Sequence, residues 1–227
     1  MKVMKANALI KLVAVTAALV AASGAQAQSA GQWTLKAGVN KLTPKVESGN
    51  VTAPALPNSK ADISGDTEPI LVVTYGITDN ISVETALGLP YKHEIFGADA
   101  IAGTGKLGEV QALPPTLFAQ YRFFDPKSMV RPYVGAGLTY AWFRKTTGSG
   151  ALTALTNVGG PPTTFEIDNK FTGTAQLGVA VNFSERWFAD LGVTKTWLKT
   201  KVHFSSGQTQ DMKLDPVGVN FGIGYKF

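Results

Sequence analysis

His203-Phe204-Ser205 sets a base and a hydroxyl two residues apart, so that on a strand both side chains would share one face. A nucleophilic acyl transfer such as lipid deacylation needs this arrangement, provided a third group orients the base. The nearby carboxylates are only Asp211 and Asp215, and the pair falls in what reads as a long connection. No catalytic residue is assigned, and the chain is read as a non-enzyme. Metal chemistry has still less to draw on. Cysteine is absent, and His93 and His203 stand far apart, so neither a thiolate site nor a histidine cluster is expected. Gly103-Thr104-Gly105-Lys106 has part of a phosphate-loop pattern but lacks the full spacing and a following helix. No cofactor is expected.

The elements that would position any site are clearer. Lys2, Lys5 and Lys11 precede an uncharged run from Leu12 to Ala22 and the small-x-small triplet Ala25-Gln26-Ala27, which predicts a signal peptide over 1–27. Roughly 20 apolar residues are needed for a helix to span a bilayer, and this run is about half that. The formal charge of +5 falls to +2 once the three leader lysines are removed. With basic residues scattered among acids, no nucleic-acid face is expected.

From 28 to 227 the chain reads as strands. Val217, Val219, Phe221, Ile223, Tyr225 and Phe227 alternate with glycines and polar residues, a period of two. The segments around 171–183 and 187–197 alternate likewise across a short link at 184–186, as do 113–123 and 134–142 across 125–128, and 71–77 and 81–89 across 78–80. Trp33, Leu35, Ala37 and Val39 make a lone first strand, for eight strands in all. Three links are short, while the connections near 43–66, 91–109, 144–169 and 201–212 are long. Short periplasmic turns and long extracellular loops are the pattern of a bacterial outer-membrane barrel.

Alternation alone does not tell a membrane barrel from a soluble one that turns its apolar face inward around a ligand. The polar face decides it. Glu84, Gln120, Arg122, Gln176, Asn182 and Asp190 lie mid-strand opposite a nearly uncharged face, and could pair with one another in a lumen. Aromatic residues such as Trp33, Tyr121, Phe183, Trp187, Trp197 and Tyr225 gather near strand ends, as interfacial girdles require. The expected fold is therefore all-β, an eight-stranded antiparallel transmembrane β-barrel in the bacterial outer membrane.

Several motifs carry a resemblance. Asp79-Asn80-Ile81-Ser82-Val83-Glu84, Pro90-Tyr91-Lys92-His93, Leu113-Pro114-Pro115-Thr116-Leu117-Phe118-Ala119-Gln120-Tyr121, Arg131-Pro132-Tyr133-Val134-Gly135-Ala136-Gly137, Leu214-Asp215-Pro216 and Gly224-Tyr225-Lys226-Phe227 resemble the OmpW family in family order. The resemblance implies a narrow barrel with an apolar lumen that takes up small hydrophobic compounds, in a group that includes alkane-import proteins. An interior of eight strands holds side chains or one small ligand, which argues against a general water-filled porin.

By alternation, the residues expected to line a solute path are Ile70, Val72, Ala86, Phe118, Phe188, Thr194 and Leu198. Leu56 and Pro57 could fold over its mouth. Two prolines in a strand remove two ladder donors, so the wall is expected to open laterally near Pro114 and Pro115, with Pro90 on the neighbouring strand. The bland alternatives are a locally bent wall and a lumen simply filled by side chains. His93, which resembles the family's histidine after proline, is expected to be a solvated loop residue. Expected partners are the lipid bilayer and lipopolysaccharide, small apolar solutes, and the outer-membrane assembly machinery during biogenesis. A non-transporting anchor or receptor acting through the extracellular loops is the competing reading.

Overall fold

The structure is a computed structural model that describes residues 30–55 and 57–227. The expected leader at 1–27 and Leu56 lie outside the described residues. In chain order the strands begin with β1 (Trp33–Thr43), β2 (Glu47–Ser48), β3 (Ser59–Ile63), β4 (Asp66–Gly76) and β5 (Ile81–Gly88). Next come β6 (Tyr91–Asp99), β7 (Lys106–Leu113), β8 (Thr116–Arg122), β9 (Val130–Gly148) and β10 (Phe165–Ile167). The last five are β11 (Lys170–Asn182), β12 (Trp187–Thr196), β13 (Lys199–Phe204), β14 (Thr209–Lys213) and β15 (Val217–Lys226). A short helix, α1 (Gly150–Thr156), starts at Ser149, whose hydroxyl accepts from the Leu152 N–H at 3.2 Å.

Eight of these strands form the wall: β1, β4, β5, β8, β9, β11, β12 and β15 pair antiparallel in that order, and β15 returns to β1. Closure leaves no unpaired edge, which is what a sheet in hydrocarbon requires. Polar side chains hold the short turns. Thr78 Oγ1 accepts from Ile81 N at 2.9 Å, Asp125 Oδ1 from Lys127 N at 2.8 Å, and Ser184 Oγ from Trp187 N at 2.9 Å.

The two faces of the wall follow the alternation. Leu117, Leu138, Leu177, Leu191 and Phe221 point outward and are about half exposed or more. Around the short-turn end, Trp33 packs on Tyr75, Tyr121 on Phe123, and Trp187 on Tyr225, while Tyr140 packs on Phe171 near the opposite end. Glu84, Gln120, Arg122, Gln176 and Asp190 point inward and are almost fully buried. Asn182 corrects the expectation: it ends β11 beside the 125–128 turn, and its Nδ2 donates to Ser128 O at 2.7 Å.

The long connections are not irregular loops. β3 and β6 extend the sheet through β7 onto the upper part of β9, and β10, β13, β14 and β2 form a second sheet of four strands. Their apolar residues turn inward: Ile101, Leu107, Leu152, Phe165, Val202 and Met212 make one core. The apolar face is thus outward at the level of the wall and inward above it. Alternation that follows one apolar face ends where that sign changes.

Candidate functional site

Between the two regimes lies a cavity of about 350 Å³. Ile70, Val72, Ala86, Phe118, Thr194 and Leu198 line it, together with Pro114 and Pro115. Phe118 has room because β9 carries glycine opposite: a Cβ on Gly137 would sit 2.6 Å from the Phe118 ring. Thr116, Thr139, Thr174 and Thr196 also face the cavity, their hydroxyls linked in a chain at 2.6–2.8 Å across β8, β9, β11 and β12. Hydroxyls satisfied by one another leave methyl groups for the cavity, so the lining is less polar than its composition. A smaller apolar pocket of about 50 Å³ lies above, in the extracellular core. Ile63, Ile167 and Leu214 border both.

Below the cavity, side chains close the lumen. Lys36 Nζ pairs with Asp190 and donates to Asn220 Oδ1 at 3.3 Å, and Tyr133 Oη donates to Asp190 at 3.2 Å. Gln176 Nε2 donates to Glu84 at 3.0 Å, Gln120 Nε2 to Gln176 at 2.8 Å, and Arg122 Nη2 to Gln120 at 2.8 Å. This buried polar network closes the lumen as a plug, in which Arg122 Nη1 is left without a hydrogen-bond partner. Phe188 lies on the plug's far side from the cavity. It is inward and buried, but its ring covers Gly224 and does not line the cavity with the other expected residues.

The wall beside the cavity is weakly sewn. β5 and β8 share five paired positions, Ile81↔Tyr121 to Thr85↔Leu117, the fewest of the eight wall seams. Pairing between these two runs of chain resumes only at Tyr91↔Ala112 in β6 and β7. Six residue steps on one side thus span five on the other, a bulge. Pro114 and Pro115 fall in this stretch and can donate nothing to it. Leu87, Leu89 and Trp142, which face outward, line the cavity together with the inward Glu84 and Phe118. Pro90 is half-buried beside the stretch and is not part of the lining.

The bulge also accounts for His93. Leu89 is exposed while Tyr91 and His93, of the same parity, are buried, because the extra residue turns the strand over. His93 is therefore not solvated: Nδ1 bonds to Ser64 O at 2.7 Å and the ring stacks near Tyr91. His203 is half exposed, with Nε2 3.3 Å from Asp168 Oδ1, and Ser205 Oγ accepts from Thr164 N at 3.0 Å. The carboxylate beside that histidine comes from the β10–β11 link, which sequence distance did not bring to attention. Among the described residues, no cluster of three or more possible metal ligands occurs.

A closed eight-stranded barrel, apolar outside, plugged at one end and holding an apolar cavity bordered by both faces of its wall, defines a small transmembrane barrel. The chain belongs to the OmpW family, whose pattern matches residues 29–227. It is 30% identical to outer membrane protein W of Salmonella typhi over 88% of this chain and 91% of that protein. Outer membrane protein AlkL of Ectopseudomonas oleovorans is 28% identical over 87% of this chain and 83% of that one. The crystal structure of OprG from Pseudomonas aeruginosa matches with a TM-score of 0.79 at 25% identity, covering 90% of this chain and 99% of the other.

Proposed function

We propose that the protein resides in the bacterial outer membrane, crosses it with eight strands, and takes up small apolar molecules that leave sideways into the bilayer. One observation carries this reading: the cavity of about 350 Å³ is bordered by inward and outward residues where β5 and β8 part. An apolar solute gains by remaining in apolar surroundings, and the polar plug beneath the cavity offers it no such path. Ile70, Val72, Ala86, Phe118, Thr194 and Leu198 form the lining in this reading, and Pro114 and Pro115, with Pro90 adjacent, keep the seam from zipping. Lipid and lipopolysaccharide surround the wall, and the outer-membrane assembly machinery inserts it.

A cross-link tests the seam. Continuing the β5–β8 register places Ala86 opposite Thr116, and the chain has no cysteine of its own. Ala86→Cys with Thr116→Cys, oxidised in the membrane, should cut uptake of a small apolar solute and leave a hydrophilic solute of similar size unaffected, with reduction restoring uptake. Undiminished uptake through a confirmed cross-link would reject lateral exit. If cells with and without the protein take up apolar solute equally, transport itself is rejected in favour of an anchor or receptor.

A further inference from the structure

One stretch of the cavity wall is polar in a way that an apolar path does not require. Of the threonines that face the cavity, Thr116, Thr139, Thr174 and Thr196 bond to one another. Thr194 stands outside that chain, and its hydroxyl makes no hydrogen bond among the described residues. Asn40 lies close by. A Cβ on Gly218 would meet Thr194 Oγ1 at 2.5 Å and Asn40 Oδ1 at 3.2 Å, so glycine keeps the space between the two groups open. Asn40 Nδ2 donates to Tyr91 Oη at 2.8 Å, which leaves the tyrosine proton and Asn40 Oδ1 available to a further partner. Asn40, Tyr91 and Thr194 all border the cavity.

Their position in the wall gives the polar spot a direction. Asn40 is on β1 and Thr194 on β12, the two strands that flank β15, while Tyr91 reaches Asn40 from β6. Around the eight-stranded wall β15 is four strands from β8 either way, so the spot faces the β5–β8 seam across the lumen. Val72, Ala86 and Phe118 lie on the seam side. We propose that the cavity takes a linear solute with one neutral hydrogen-bonding head, a medium-chain primary alcohol, whose hydroxyl sits between Thr194, Asn40 and Tyr91 while its alkyl tail points to the seam. This rests on the reading of the cavity as the solute path. A hydroxyl in that place recovers the bonds it gave up in water, whereas an alkane leaves the three groups unpaired. The head is neutral because Glu68 is the register partner of Asn40 and the lysine in the lining, Lys36, is already paired with Asp190. A carboxylate there would be buried near like charge without a counter-charge. The cavity of about 350 Å³ is at the small end for bound organic molecules, which limits the tail to a medium chain.

The test compares 1-octanol, n-octane and octanoate in cells that carry the unaltered protein or Thr194→Val with Asn40→Leu. The unaltered protein should favour octanol over octanoate, and the double variant should lower octanol uptake by about fivefold or more while octane uptake stays the same. Equal loss of octanol and octane, or octanol uptake untouched by the substitutions, would overturn the alcohol site. Uptake of octane and octanol that does not depend on the protein at all would reject the conduit instead. Binding is then read directly, with the whole protein in lipid nanodiscs and an octanol that carries a photoreactive diazirine at its tail. Labels should fall on 85–90 and 113–118 and be lost in the double variant and reduced in Tyr91→Phe, which keeps the ring. Labelling of other strands, or labelling unchanged in both variants, would overturn the site whatever the transport result.

Discussion

Thr85 Oγ1 donates to the Thr116 carbonyl across 3.0 Å, at the last paired position of β5 and β8. Beyond it the two backbones diverge toward Pro114 and Pro115, so a side-chain hydroxyl serves a carbonyl where the ladder ends. Thr85→Val keeps the shape and removes the donor. The expected result is a loss of about 1 kcal/mol in stability and faster uptake of apolar solute, read from urea unfolding and from uptake in cells.

The prolines act from the other strand. On the β9 side Pro115 still accepts from Tyr140 N at 3.0 Å, so that side of the strand stays joined while the β5 side lacks donors. Replacing both, as Pro114→Thr with Pro115→Val, returns one N–H group to each side of the strand, that of residue 114 toward β5, and lets the β5–β8 pairing continue toward Gly88. Uptake should then fall toward that of cells without the protein. Amide hydrogen exchange over 86–89 should slow, and unchanged exchange would show that sterics rather than missing donors keep the seam apart.

Phe118 is 6% exposed and lies in the cavity wall against Gly137. Phe118→Asp would place a charge where an apolar solute must pass. Solute uptake should drop while the barrel still forms, because the plug and the ladders around it are untouched. Normal uptake in a correctly inserted variant would remove Phe118 from the path.

The plug answers to pairing. Lys36 and Asp190 are both nearly fully buried, and Tyr133 and Asn220 complete their shell. Removing one charge strands the other, so Asp190→Asn should cost about 3–5 kcal/mol. The double variant Lys36→Met with Asp190→Leu should recover most of that loss. A single variant as stable as the double would mean that the pair is not buried as a unit.

Alternation made the wall legible because lipid imposes one rule on each outward residue: Leu117, Leu138 and Leu191 all obey it. The turns were legible from Thr78, Asp125 and Ser184. Alternation gives the face of a side chain and not its height, which is why Phe188 was grouped with residues across the plug. It also assumes unbroken parity, and the bulge between Thr85 and Tyr91 breaks it, hiding the burial of Tyr91 and His93. The upper strands were lost because Val202 and Met212 turn inward where wall residues of similar chemistry turn outward.

His93 gives the upper half a dependence on pH. It lies in β6 beyond Pro90, above the lipid-facing wall, and burial pushes its pKa below the usual 6.5, the Ser64 carbonyl opposing only in part. In the unfolded chain the same ring takes up its proton as the pH falls through about 6.5. The native state therefore binds fewer protons below that value, and stability present above pH 6.5 is lost progressively toward the depressed native pKa. His93→Gln has no proton to gain and can retain a bond to Ser64, so it should flatten this part of the profile. The check is protease nicking of the 91–99 segment between pH 7.5 and 5: acid should speed it in the unaltered protein and have less effect in His93→Gln. Equal acid sensitivity in both would place the titrating group elsewhere.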